Sequence, residues 1–448
     1  MKQISHNIKC FVVLVAVAVA AVGCEQEIGY QMTDGVPTVH YVRTTDPAQA
    51  DSLLTGAYME NLICIVGENL RSVHELWFND QKAILNTSYI TDNTLLVTVP
   101  GTIPTKVDHK MYLITAAKDT VTHDFSVLVP GPVLTGMKCE MVPAGETAVI
   151  TGDYFVDEPN TPLTVTLADG TEINRDSEGF VFDKYKISFT VPENAASGKL
   201  TVSTIYGSVQ SNFHLNDNRG LLFTFDGEGA LLGQGWKTRP IVEDEWSLTG
   251  KYMQLGDGVT TMSETGGWAD GQFAFHHWAG SWDTPQNITS GQGIALYNVV
   301  DFTDFANMSL KFEMCVPKDY PWSSGAMQIA FEGLDRLSLS GNAIDGYATV
   351  AGASNSTMNN DGGLGSWGRA LYMPWVGAAE PYHTNDEWIT VTIPFSNFNL
   401  DFTGAAASTG FASEKDFANL TIFVWNGPTG VACTPIMKID NIRAVPNR

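Results

Sequence analysis

Leu62-Ile-Cys-Ile-Val-Gly-Glu-Asn-Leu70 is an apolar run broken by a Gly-Glu-Asn turn. It has an echo 85 positions on, at Ala148-Val-Ile-Thr-Gly-Asp-Tyr-Phe155. Working outward, each copy is followed by a second β-rich run, then by a strand ending in Val-Pro. These strand ends are Thr94-Leu-Leu-Val-Thr-Val-Pro100 and Ile187-Ser-Phe-Thr-Val-Pro192. Short alternating strands about ten residues apart, separated by Gly, Asn, Asp and Pro, predict small antiparallel β-sandwiches. The copies occupy 36–130 and 131–215, with Glu75-Leu-Trp-Phe-Asn-Asp80 in the first matched by Leu163-Thr-Val-Thr-Leu167 in the second.

From Asn216 the composition changes. Ten of the eleven tryptophans fall between 216 and 448, and only Trp77 precedes them. Strand patterns recur at Leu221-Leu-Phe-Thr-Phe225, Met308-Ser-Leu-Lys-Phe312, Ala326-Met-Gln-Ile-Ala-Phe331, Trp388-Ile-Thr-Val-Thr-Ile-Pro394, Leu420-Thr-Ile-Phe-Val-Trp425 and Ile436-Met-Lys-Ile-Asp-Asn-Ile-Arg443. No segment longer than about ten residues keeps helical periodicity, so a larger two-sheet jelly roll is expected over 216–448. The predicted fold class is therefore all-β.

The 448 residues carry a formal charge of −24, which excludes nucleic acid as a partner because phosphates need Lys and Arg. Lys2 and Lys9 precede an apolar stretch from Cys10 to Val22, and Ala21-Val-Gly-Cys24 follows the form of a cleavage site. This predicts a secretory signal over 1–23, with Cys24 as the lipidation candidate of a lipobox and 24–35 as a tether. Ordinary cleavage with an incidental Cys24 is the alternative. Of the remaining cysteines, Cys64, Cys139, Cys315 and Cys433 lack metal or redox spacing. Cys315 and Cys433 are either paired or small buried thiols.

An indole offers a flat apolar platform to the C–H face of a pyranose, while polar side chains at the rim meet its hydroxyls. The candidate platforms are the rings on Gly-, Ser- and Pro-rich segments: Trp282, Trp322 with Tyr320, Trp367 and Trp375, each with anchoring of its loop on the sandwich as the alternative, and Trp278 open to either role. Trp388 and Trp425 lie in strand patterns and are expected in the core, and Trp236 and Trp246 are expected as packing. Gln328 and Glu332 alternate with Ala326 and Ala330, so one strand face either offers polar groups with room for a ligand beside them or is an ordinary solvated sheet face. Asp226 and Asp257, next to glycine turns, are candidate donors to a structural Ca2+. No other cofactor is expected. No G-x-S-x-G, H-E-x-x-H or Walker motif occurs, and the paired acids of a glycosidase are not marked by an E-x-D-x-x-E strand.

The two Gly turns, each followed by a Val-Pro strand end and a closing hairpin, resemble IPT/TIG immunoglobulin-like domains. Taken with Asn218-Arg-Gly-Leu-Leu-Phe-Thr-Phe-Asp-Gly227, Gly250-Lys-Tyr-Met-Gln-Leu-Gly-Asp-Gly258 and Met437-Lys-Ile-Asp-Asn-Ile-Arg-Ala-Val445, the chain resembles surface glycan-binding proteins of Bacteroidetes polysaccharide-utilisation loci. The resemblance implies a non-catalytic outer-membrane lipoprotein facing outward that binds a β-glucan such as xyloglucan or mixed-linkage glucan. It also implies cooperation with a TonB-dependent transporter and its lid lipoprotein. A jelly-roll hydrolase or lyase, and a surface adhesin, are the competing readings.

Overall fold

The computed structural model describes residues 33–49, 51–226, 239–267, 270–277, 294–333 and 367–447. Its contacts divide the chain into Met1–Pro130 and Gly131–Arg448. Among the described residues the regular structure is strand, with only single-turn helices between. No described helix is long and apolar enough to cross a membrane.

The first unit is a sandwich of two main sheets, with a short parallel pair of Gly56–Tyr58 and Ser126–Leu128 beside them. Thr38–Thr44, Leu62–Glu68 and Thr94–Thr98 form one main sheet, and the other runs Gln81–Lys82, Val73–Phe78, Lys110–Thr115, Thr120–Asp124. Alternation puts Ile63, Ile65, Leu95, Val97, Leu76, Phe78 and Leu113 into one core. The second sandwich, within Gly131–Arg448, repeats the plan. Val133–Met137, Thr147–Asp153, Lys186–Thr190 and Val181–Phe182 face Glu172–Ile173, Thr164–Thr166, Gly198–Thr204 and Gly207–Leu215.

The repeated glycine has one physical cause. In each sandwich the first strand slips register in the same place, between Val39 and Tyr41 and between Leu134 and Gly136. The slip presses a carbonyl against the glycine. A Cβ on Gly67 would lie 1.8 Å from the Thr38 oxygen, and one on Gly152 would lie 2.0 Å from the Val133 oxygen. Two residues on, Asn69 and Tyr154 take positive φ, 55° and 60°, to complete the turn.

The described residues of the remaining chain form ten strands: Leu221–Phe223 (β1), Ile241–Val242 (β2), Tyr252–Leu255 (β3), Ala274–His277 (β4), Met308–Cys315 (β5), Met327–Glu332 (β6), Ala370–Tyr372 (β7), Ile389–Pro394 (β8), Asn419–Val424 (β9) and Met437–Pro446 (β10). One antiparallel sheet has the order β2-β3-β10-β5-β8, with β1 also on β10; the other has the order β4-β9-β6-β7. Between them lie Leu310, Phe312, Met314, Met437 and Ile439 from the first sheet, against Met327, Ile329, Phe331, Leu420, Ile422 and Val424 from the second.

Strand β10 shows how the "I-D-N-I-R" pattern works. Asn441 takes φ 49° and the pairing with β5 shifts there, so the strand bulges. The bulge keeps both Ile439 and Ile442 in the core while Lys438, Asp440 and Arg443 lie outside the sandwich core, yet buried. The second Ig-like sandwich covers part of this outer surface. Arg443 donates to Glu313 on β5 at 2.7 and 3.0 Å, and to Glu140 of the second sandwich at 3.0 Å. Lys311 adds a bond to Glu140 at 2.6 Å. Burial works against the Arg443 charge, but the two carboxylates hold the guanidinium above its ordinary value. Across the same interface the Thr390 amide donates to the Lys138 carbonyl at 2.9 Å, and the Glu140 amide to Thr390 Oγ1 at 2.7 Å.

Asp440 sits near this network. Burial pushes its carboxyl up to about 7, against bonds from the Asn441 amide and Thr249, with Asp226 and Glu313 adding like charge. A carboxyl raised in the folded state favours folding fully below about pH 4, and that contribution is lost as pH rises through about 7. Asp440→Asn is therefore expected to raise the stability of the protein at pH 8 by about 1–3 kcal/mol and to change it little at pH 4. Urea midpoints at the two pH values measure this; an equal change at both would contradict it.

Cys315 is a buried free thiol and Cys433 a half-buried one, so the alternative of a Cys315–Cys433 disulfide is not realised. Asp257 accepts from the Val259 and Thr260 amides at 2.9 and 2.6 Å, and Asp226 from the Lys251 amide at 2.6 Å. Asp257 thus serves its own turn and Asp226 ties its segment to Lys251, and no group of three or more metal-ligating side chains occurs among the described residues.

Candidate functional site

The sheet β4-β9-β6-β7 has a second face, turned away from the core. Period-2 alternation sends Gln328, Ala330 and Glu332 of β6 there, with Asn419, Thr421 and Phe423 of β9 and His276 of β4. Arg369 precedes β7 on the same side. The polar groups are joined rather than scattered. Arg369 Nη1 donates to Gln328 Oε1 at 2.9 Å, and Gln328 Nε2 donates to the Trp425 carbonyl at 2.8 Å and the Phe402 carbonyl at 3.4 Å. His276 Nδ1 lies 3.3 Å from Thr421 Oγ1, which donates to Glu332 at 3.5 Å. Burial lowers Arg369 to about 10, with Glu332 and Asp401 opposing the shift.

At the end of this face, where β9 stops and β6 starts, Trp425 and Phe402 stack. Their ring centroids are 5.7 Å apart and their planes 7° from parallel. Asn426 Nδ2 donates to the Phe402 carbonyl at 3.2 Å. Gln328 thus braces both segments that carry the stacked rings. Both rings are half-buried.

Behind the same end lies an aromatic cluster. Trp322 and Tyr382 exchange backbone bonds of 2.8 and 3.0 Å, and the Trp322 ring packs 6.1 Å from Tyr372 and 6.4 Å from Tyr382. Tyr320 stands at its rim. Tyr320 is 40% exposed, the one aromatic side chain in the exposed class among the described residues of 216–447. Its ring lies on Gly258, where a Cβ would come within 2.6 Å of it.

The structure corrects several sequence expectations. Trp322 is fully buried and its Nε1 donates to the Ser324 carbonyl at 2.6 Å. Trp367, 3% exposed, donates to the Phe331 carbonyl, and Trp375, 9% exposed, donates to the Gly325 carbonyl. These three indoles anchor loops to the sandwich, because a buried N–H must find an acceptor, and the carbonyls of Ser324, Gly325 and strand residue Phe331 provide it. They are not open platforms. Gln328 and Glu332 do share the outer face, but they are buried and bonded rather than beside open space. Tyr320, Trp322 and Trp375 come together at one end of the sheet, whereas Trp367 and Glu332 lie toward the other. Trp278, Trp282 and Cys24 fall outside the described residues, as do Trp236 and Trp268. Trp425, expected in the core, sits instead on the outer face. The missed residues are Trp425, Phe402 and Arg369; the parity of Thr421-x-Phe423-x-Trp425, opposite to that of Leu420-x-Ile422-x-Val424, is the signal that finds Trp425.

An antiparallel sandwich with a bonded polar face that ends in stacked rings has the form of a carbohydrate-binding module. Residues 215–446 match the family described as the surface glycan-binding protein B xyloglucan binding domain, and the chain belongs to that family. It is similar to the crystal structure of surface glycan-binding protein PbSGBP-B from Prevotella bryantii. That match is 44% identical, covers 92% of this chain and 99% of that one, and has a TM-score of 0.70. It also matches an IPT/TIG domain-containing protein of Bacteroides ovatus, 26% identical over 250 residues. This match covers 53% of the present chain and 48% of the relative, so it spans about half the relative's length.

Proposed function

We propose that this protein captures a neutral β-glucan, xyloglucan in the first place, at the cell surface and performs no chemistry on it. The observation that carries the reading is the family membership of residues 215–446. The Phe402–Trp425 stack and the exposed Tyr320 supply the apolar platforms this needs, and Asn426 supplies an amide beside them. In the same reading Cys24 carries the lipid anchor in the outer membrane, and the bound chain is passed to a TonB-dependent transporter and its lid lipoprotein. The candidate rings Trp278 and Trp282 belong to this proposal as further contacts.

Affinity electrophoresis of the full chain in gels holding xyloglucan, mixed-linkage glucan, galactomannan or starch tests it. Retardation is expected with xyloglucan. A ring hiding about 50 Å2 of sugar is worth on the order of 1 kcal/mol, so Trp425→Ala should weaken retention about fivefold. Migration unchanged in every polysaccharide would reject glycan capture in favour of an adhesin. Release of reducing sugar would reject the non-catalytic reading.

A further inference from the structure

A cleft of about 570 Å3 lies between the second Ig-like sandwich and the C-terminal sandwich, away from the Phe402–Trp425 stack. Its volume is in the range of about 300–1,000 Å3 that small ligands occupy. Trp246 and Trp388 line it, over an apolar floor that includes Val142 and Leu248. Both indoles are half-buried and both are held. Trp388 Nε1 donates to the Trp246 carbonyl at 2.8 Å, and its ring meets Tyr252 edge-on at 5.7 Å. Trp246 rides a turn closed by Asp244, which accepts from the Trp246 amide at 2.9 Å. The ammonium of buried Lys438 lies 4.3 Å from the Trp246 ring and backs it.

The rim is made of acceptors. Glu146, Glu245, Asp386 and Glu387 line the cleft and are exposed, and the one cation lining it, Lys138, is engaged by Glu387. Four carboxylates against one lysine repel a uronate or sulfate and suit the hydroxyl donors of a neutral sugar. The interface bonds of Arg443, Lys311 and Thr390 to the 138–140 segment fix the two walls, so the cleft is formed before any ligand arrives. Preformed walls lower the ordering cost of binding.

We infer that this cleft is a second glycan contact, taking one or two neutral pyranose units of the same polysaccharide against Trp246 and Trp388. The inference rests on the proposed capture of a neutral glucan and adds a site to it. Two contacts on one chain raise retention of a long polymer more than of a short oligosaccharide.

The test uses the full chain, with xyloglucan polysaccharide and cellohexaose as probes and calorimetry as the readout. Trp246→Ala removes a platform while leaving the carbonyl that Trp388 uses, and Ala144→Trp fills the exposed edge of the cleft from the other wall. Each is expected to weaken polysaccharide binding about fivefold with an unchanged unfolding midpoint. Trp246→Ala should compound the loss caused by Trp425→Ala. Wild-type affinity in both cleft variants overturns the second contact and leaves the first intact. A wild-type chain that binds no neutral glucan overturns both. Binding of chitosan oligosaccharide in place of cellohexaose overturns the neutral-sugar assignment.

Discussion

Arg443→Met is expected to destabilise the Gly131–Arg448 unit by about 3–5 kcal/mol. The guanidinium is fully buried and joins Glu313 through two bonds and Glu140 through a third. Methionine fills a similar volume but leaves two carboxylates in the interface with only Lys311 and Thr390 to meet them. An uncompensated buried charge costs far more than the net value of an intact ion pair. Arg443→Lys keeps the charge but loses the fork that meets two carboxylates at once, and should recover part of the loss. Urea unfolding followed by tryptophan fluorescence measures both. A midpoint for Arg443→Met equal to wild type would show that the network contributes nothing to the join between the two sandwiches.

Trp322→Ala is the second large effect, a loss of about 3–5 kcal/mol. The ring is fully buried beside Tyr372 and Tyr382, and its N–H holds the Ser324 carbonyl. Removing it opens a cavity at the end of the sheet and frees the 317–325 loop that carries Tyr320. Glycan retention should fall in this variant only in step with its lower unfolding midpoint. Trp425→Ala should do the reverse, losing retention while keeping its midpoint within about 1 kcal/mol of wild type. Running both variants through the same gel and the same unfolding titration separates a structural indole from a platform. If Trp322→Ala kept the wild-type midpoint and lost binding, the burial assigned to its ring would be wrong.

Local sequence does not separate these two tryptophans. Trp322 sits among Pro, Ser and Gly and reads as a displayed ring, and Trp425 ends an apolar strand and reads as core. Residue type does not decide either one, because an indole is apolar enough for the interior and polar enough for the surface, and the local setting points the wrong way in both. Which one is covered depends on what packs over it from distant parts of the chain. Tyr382, sixty residues after Trp322, does the covering there.

The all-β class, the repeat of two Ig-like sandwiches and the strands of the last sandwich were set by local pattern. Alternation of period two assigns faces, and the glycines at 67 and 152 are demanded by a carbonyl pressed against them. These properties are carried by neighbours in sequence, so the sequence shows them. The buried join of Glu140, Arg443 and Glu313, the stacking of Phe402 on Trp425 and the cleft between Trp246 and Trp388 were decided only by tertiary structure. Each brings together residues from 23 to more than 300 positions apart. No local periodicity encodes such a meeting, because it depends on how whole sheets pack and not on how a strand alternates.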